Sequence, residues 1–179
     1  MQRITTYHSP LGKIILTEKA GALTGLWFEG QKYFMGSLKE ELEECKDSLL
    51  FRQVRQWLDR YFAGEKPLAE ELKLALTGSE FRKKVWKILS EIPYGEVITY
   101  GGIAQRIAAD QGLEKMSAQA VGQAVSHNPV SIIIPCHRVV GGKGNLTGYA
   151  GGIEKKIKLL TLEGVDMEGM FVPKRGSAL

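Results

Sequence analysis

The stretch Ile132-Ile133-Ile134-Pro135-Cys136-His137-Arg138-Val139-Val140 constrains this chain more than any other. Three isoleucines drive the backbone into the interior. Pro135, with a fixed φ and no N–H, stops regular pairing there. A cysteine, a histidine and an arginine follow at once, and a second β-branched run closes the segment. A thiol between two apolar runs is rigidly held and screened from water. Alone it reads as packing, since free cysteine is among the most buried residue types. The neighbours shift that balance. A reactive thiolate needs a cation, a helix N-terminus or an imidazole nearby, and His137 and Arg138 are next in sequence.

At 179 residues the chain can bury a good core as one domain or two small ones. No apolar run approaches the roughly 20 residues of a membrane span. Met1-Gln2-Arg3-Ile4-Thr5-Thr6 carries no apolar signal region. Together these predict a cytoplasmic protein with no membrane partner. Cys45 and Cys136 form no CxxC pair and the histidines are scattered, so no zinc spacing exists. The net charge of +4 is compatible with a polyanion partner but is weak evidence alone. The acidic run 39–44 reads as a solvated face, and Lys155, Lys156 and Lys158 as a basic flank late in the chain.

Taken in order, Ile4 to Tyr7, Lys13 to Thr17 and Leu23 to Phe28 read as an antiparallel meander of three strands. Ser37 is placed to cap a helix from Leu38, with Leu38, Leu42 and Cys45 on one face. Phe51, Val54, Trp57, Leu58, Tyr61 and Phe62 recur at helical spacing, and Gly64 and Pro67 stop that helix. Its aromatic stripe reads as core. Leu72, Leu74 and Leu76 alternate as in one more strand or an extended linker. Composition changes at 77–79, which divides the chain into 1–77 and 78–179. Thr77 and Glu80 fit a capping box before a helix with Phe81, Val85, Ile88, Leu89 and Ile92 on one face. Val97-Ile98 reads as a short strand. Thr99 caps a helix over 100–108, and Ser117 caps another over 118–126. That pair is compatible with a helix-turn-helix, although its connection is long and a plain pair of packed helices is the simpler alternative. The small residues Ala118, Ala120, Gly122 and Ala124 give the second helix a thin face that can approach a groove but reads few base edges. The glycine-rich run 141–152 marks backbone passing close to something, and lacks the GxxxxGK[ST] pattern of a phosphate loop. A last helix covers 153–162, and Gly164 ends it.

Pro135-Cys136-His137-Arg138-Val139-Val140 resembles the active-site motif of the O6-alkylguanine-DNA alkyltransferases. The likeness extends through Asn128-Pro129-Val130, Tyr149-Ala150-Gly151-Gly152 and Leu162-Glu163-Gly164. It covers roughly residues 79 to 165, and a six-residue motif backed by three spaced matches is specific. The resemblance implies an α/β (α+β) fold. Its N-terminal part would be an antiparallel three-stranded sheet with a helix, in a ribonuclease H-like layout. Its C-terminal part would be mostly helical, with a helix-turn-helix of winged-helix type. The implied activity is irreversible transfer of the alkyl group of O6-methylguanine, and of O4-methylthymine in some cases, from duplex DNA to the protein's own cysteine.

By that resemblance Cys136 is the nucleophile, His137 deprotonates it through a water, and Glu163 orients His137, which is the nucleophile, base and orienter logic of a triad. Asn128 holds the active-site turn. Tyr100 donates a proton toward the leaving guanine. Val139, Tyr149, Ala150 and Gly151 line the base pocket, and Arg138 serves structure. The second helix, with Ala118, Gln119, Ala120, Gly122 and Ser126, approaches the minor groove, which suits repair at any sequence. A base inside a duplex must be flipped out to be reached. The implied protein is a monomer with no cofactor. Three positions depart from the family pattern. Gln119 stands where members often have an intercalating arginine, and Ala150 where some have serine. The cysteines of the N-terminal zinc site of some members are missing, so no metal is expected. A thiol hydrolase, a non-catalytic damage sensor and a sequence-specific regulator are the competing classes. The sensor class lacks the reactive cysteine, and the second helix lacks the basic start of a major-groove reader.

Overall fold

The computed structural model describes residues 1–36, 38 and 40–174. The N-terminal meander consists of β1 (Gln2–Ser9), β2 (Gly12–Lys19) and β3 (Ala22–Phe28), paired antiparallel. The β2–β3 turn has positive φ at both central residues, Ala20 and Gly21, the twist that matches a tight hairpin. Every residue of β3 is buried. Trp27 folds back over Gly25 so closely that a Cβ there would come within 1.8 Å of its ring.

The sheet has four strands rather than the three expected, in the order β3-β2-β1-β4. The fourth is β4 (Leu42–Glu44), parallel to β1, where the spacing predicts a helix from Leu38. The expected cap, Ser37, and Lys39 lie outside the described residues. Four glutamates explain the difference: in a helix Glu40 would face Glu43 and Glu44 at like-charge spacing. An edge strand splays them, and Glu40 pairs instead with Lys19 and with the Met1 amine.

Helix α1 (Leu49–Phe62) is capped by Ser48, whose side chain accepts from the Phe51 N–H, and lays its apolar stripe on the sheet. The alternating leucines form an extended segment beside β3, with Leu74 bridged to Leu23. Helix α2 (Glu80–Ser90) takes its cap from Ser79 rather than from Thr77, with the Ser79 hydroxyl accepting from the Arg82 N–H. Intervening Gly78 lies flat against the Trp86 ring, which leaves Ser79 as the residue positioned to cap. β5 (Ile98–Thr99) pairs in parallel with β6 (Val139–Val140). Helices α3 (Tyr100–Asp110) and α4 (Ala118–Ser126) are capped by Thr99 and Ser117. Helix α5 (Ile153–Leu162) ends before Gly164, whose φ of +72° suits glycine.

One cluster of buried side chains runs through both parts, from Ile14, Leu26 and Leu58 to Val85, Ile103, Ile134 and Val139. The edge of β3 also bonds directly to the loop before the cysteine. Leu26 N–H donates to Pro129 O (2.8 Å), and Ser131 N–H donates to Leu26 O (2.9 Å). The sheet therefore anchors the segment that carries the thiol. None of the described helices is long and apolar enough to cross a membrane.

Candidate active site

Residues 131–135 do not continue as a strand. Ile133 N–H donates to Ser131 O and Cys136 N–H to Ile134 O, both at 2.8 Å, so the chain coils through successive tight turns. Ile132 sits at φ +69°, a left-handed conformation that is costly for a β-branched residue and persists because the surroundings fix it. Asn128 supplies part of that fixing. Its amide Nδ2 donates to Ile134 O (2.8 Å), and its Oδ1 accepts from Val130 N–H (3.0 Å). Cys136-His137-Arg138 then form one 3-10 turn, all buried. Neighbours in such a turn need not point oppositely, as they would in a strand.

Glu163, at the C-terminal end of α5, gathers the donors. His137 Nε2 lies 2.6 Å from its Oε1. Arg138 grips both oxygens, Nε to Oε2 at 2.8 Å and Nη2 to Oε1 at 3.0 Å. Gly95 N–H reaches Oε2 at 3.3 Å, and Tyr61 OH donates to Oε1 at 2.7 Å. Burial pushes the Glu163 carboxyl up, but the hydrogen bonds and charge of its partners outweigh this and hold it well below the usual carboxylate range. The permanent cation among them is Arg138. His137 is completely buried, and that burial lowers its pKa despite Glu163. A neutral imidazole that donates from Nε2 to a carboxylate carries its lone pair on Nδ1. His137 Nδ1 is buried and accepts no hydrogen bond from any described protein group. This is a base with its tautomer fixed and its accepting nitrogen free.

Burial pushes the Cys136 thiol up. The Asn128 side chain, the Lys156 charge and the backbone around Cys136 and His137 pull it back. The resting group is a thiol that needs a base, and these neighbours offset part of the cost that burial imposes on its anion. Tyr100 OH donates toward Gly148 O (2.9 Å) and Thr147 O (3.2 Å), tying α3 to the glycine-rich loop. Tyr149 sets its ring edgewise on His137, with a buried hydroxyl that meets no partner among the described residues. A Cβ at Gly151 would meet the Tyr149 ring at 2.8 Å and Phe28 at 3.1 Å, so the room glycine leaves is filled by those rings. Ala150 O accepts from Lys32 N–H (3.1 Å), a second tie to the N-terminal part.

Two family models match the chain: 6-O-methylguanine DNA methyltransferase, ribonuclease-like domain, at residues 3–76, and its DNA binding domain at residues 80–165. The chain belongs to the 6-O-methylguanine DNA methyltransferase family. A methylated-DNA–protein-cysteine methyltransferase of Methanosarcina acetivorans is 43% identical, over 88% of this chain and 96% of the relative. That of Haemophilus influenzae is 38% identical, over 89% and 84%. The crystal structure of Mycobacterium tuberculosis OGT in complex with DNA superposes with a TM-score of 0.77 at 38% identity, covering 90% of this chain and 93% of that one.

Within this methyltransferase fold, Cys136, His137, Glu163 and Asn128 come together with Val139 and Tyr149 around one buried core. The helix pair packs its inner faces on the same core, and its outer face lies away from the thiol. On α4, Ala118 and Gln119 are exposed and Ala120 is half-buried, whereas Gly122 and Ser126 are buried. Ser126 spends its hydroxyl on Gln123 O (2.9 Å). Arg138 is committed to Glu163 and to Ile92 O (2.6 Å).

Two polar residues escape a linear reading. Lys156 belongs to the apparent basic flank, yet it is completely buried, with Nζ donating to Val139 O (2.5 Å) and Thr147 O (2.9 Å). Its signal is positional: three residues after Ile153 and three and four before Leu159 and Leu160, it falls in the apolar stripe of α5. Burial lowers its pKa to about 8, while the negative charge of ionised Cys136 works to raise it. The other is Tyr61, hidden in the aromatic stripe of α1.

Proposed function

We propose that this protein repairs duplex DNA by transferring the alkyl group of O6-methylguanine irreversibly to its own Cys136, once per molecule. The observation that carries this is a buried thiol next to His137, whose Nε2 is held by Glu163 at 2.6 Å while Nδ1 stays free. Cys136 is the nucleophile, and His137 Nδ1 takes its proton through a bridging water. The Cys136 Sγ–carbon bond forms as the carbon–O6 bond breaks, and the electron pair passes to the base. Tyr100 leaves its carbonyl partners to deliver a proton to the departing guanine; His137 then releases the sulfur proton to water and Tyr100 takes one back, so that overall one proton passes from sulfur to guanine. The product is a thioether, a poor leaving group, so the protein is spent.

The target base must leave the stack, at a cost of a few kcal/mol. In this reading residues 78–179 handle DNA and chemistry, while 1–77 brace them. Helix α4 enters the minor groove with Ala118, Gln119 and Ala120 foremost. Gly122 and Ser126 act behind them by letting the helix pack closely. Gln119 fills the gap left by the flipped base, and Val139, Tyr149, Ala150 and Gly151 receive it. Arg138 acts through Glu163. The protein works as a cytoplasmic monomer.

Intact-protein and peptide mass spectrometry after mixing with a duplex holding one O6-methylguanine tests this. One methyl on the Cys136 peptide, stopping at one per protein, is expected. Tight lesion binding with an unmodified Cys136 would make the protein a sensor. An unmodified Cys136 without DNA affinity would return it to thiol hydrolysis.

A further inference from the structure

Tyr61 lies on α1, 102 residues from Glu163 in sequence, yet its hydroxyl reaches Glu163 Oε1 at 2.7 Å and lies 3.5 Å from His137 Nε2. Its ring is held on three sides: stacked on Trp57 (5.6 Å between centroids, 8° between planes) and edgewise to Phe62 and Tyr94. Trp57 is itself pinned by donating its indole N–H to Leu68 O at 2.9 Å. A core aromatic of this kind needs no hydroxyl, and phenylalanine would pack as well. The hydroxyl is aimed instead at the oxygen that also receives His137. Burial and the charge of Glu163 both keep the phenol protonated, so it acts only as a donor.

We propose that Tyr61 is a positioning residue for alkyl transfer, through which the N-terminal part completes the donor shell of Glu163 and fixes the carboxylate that orients His137. This rests on the function proposed above. Without the Tyr61 donor, Oε1 would hold only His137 and one arm of Arg138. The carboxylate, still gripped by Arg138, would lose one of three donors at the oxygen that aims His137, and its less shared charge would draw the His137 proton harder. Two consequences follow. The imidazole would be worse aimed, and its protonated form would be favoured, moving His137 back toward its ordinary value.

The test is Tyr61→Phe in the full-length protein, read as single-turnover methylation of Cys136 across pH. The rate should fall about tenfold at neutral pH, the scale of one hydrogen bond to a charged group. The acid limb should move to higher pH, with affinity for lesion DNA kept. Tyr7→Phe, which deletes a comparable tyrosine–carboxylate bond to Asp59 at the surface, should leave the profile unmoved. An unmoved acid limb in Tyr61→Phe, whether the rate is unchanged or uniformly lower, would reduce Tyr61 to packing and overturn the proposal. Imidazole ¹⁵N shifts of His137 provide a readout without DNA. In the wild type they should show Nε2 protonated and Nδ1 bare, and in Tyr61→Phe a raised His137 pKa. A wild type that never methylates Cys136 would sink the function, while the His137 titration would still decide the role of Tyr61. Should Tyr61→Phe not fold, a wild-type His137 with its proton on Nδ1 would sink the proposal by itself, and the opposite tautomer would support it.

Discussion

Inside the N-terminal sheet Thr17 and Thr24 share one hydrogen bond, 2.9 Å between two neutral hydroxyls. Inside the cysteine-bearing part Glu163 accepts from Tyr61, Gly95, His137 and Arg138, with Lys156 and Cys136 buried nearby. Both regions bury polar groups and satisfy nearly all of them, but the buried Glu18 of the sheet pairs outward with the exposed Arg3, whereas in the second region the carboxylate and its partners are buried together. A neutral pair can be replaced by apolar groups of the same shape at little cost. A buried ion network cannot lose one member, because the others are left uncompensated. The contrast separates polar atoms that merely fit the fold from those the fold must be built around. The fold tolerates the second kind at a stability cost, and the chemistry proposed for Cys136 is what that cost would support.

Glu163→Ala breaks the comparison hardest. Arg138, His137 and Tyr61 would lose their shared acceptor, with an expected loss of about 3–5 kcal/mol in denaturant unfolding and no measurable methylation. A loss below about 1 kcal/mol would mean that the network contributes no more than the threonine pair. Glu163→Gln keeps the shape, and should slow transfer while costing less stability.

Lys156→Met comes next. It removes the cation that favours the thiolate, so methylation at neutral pH should fall roughly tenfold or more. In the wild type the ammonium is lost above about pH 8, far below its ordinary 10.5. The unfolded chain holds that proton up to 10.5 and the folded one does not, so the Lys156 contribution makes stability rise with pH between about 8 and 10.5. Urea midpoints across that window should rise less in Lys156→Met than in the wild type; identical slopes would dissociate Lys156 from the effect.

On the acid side the sign is the same, and stability again rises with pH. His137 is buried neutral with its pKa lowered from 6.5, so the unfolded chain takes up a proton before the folded one as pH falls through 6.5. Stability should begin to fall there, and fall further below 4.5, where unfolded Glu163 protonates while the folded carboxylate resists. His137→Gln should remove the first step and keep the second.

These polar networks are also where the sequence was least legible. Periodicity located the meander, α1 and α5, and Ser117 placed the first turn of α4, because strand alternation and helix caps are local. The motif around Cys136, with Asn128 and Glu163 at matching spacings, located the site. It did so by resemblance, since nothing local says that a glutamate will close on a histidine in a turn far upstream. Tyr61 and Lys156 stayed hidden because each has two faces. Tyr61 satisfies the apolar stripe with its ring and the site with its hydroxyl. Lys156 looks like surface charge, and only tertiary contact with the Val139 and Thr147 carbonyls explains its burial. β4 escapes local spacing for a similar reason: three residues form a strand because β1 offers them an edge.

The smallest effect sharpens the other side of the comparison. Thr17→Val alone strands the Thr24 hydroxyl in a dry interior and should cost about 1–2 kcal/mol. Thr24→Val should do the same to Thr17. The double replacement removes both members of the pair, keeps the β-branched shape that strands favour, and should return stability to within about 0.5 kcal/mol of the wild type. Denaturant midpoints of the four proteins form a double-mutant cycle, and methylation of Cys136 should be unchanged in all of them. Additive losses would show that each hydroxyl has a separate role and that the sheet, too, is built around its polar atoms. A cancelling cycle would leave Glu163 and its partners as the part of the interior where polarity is required by function.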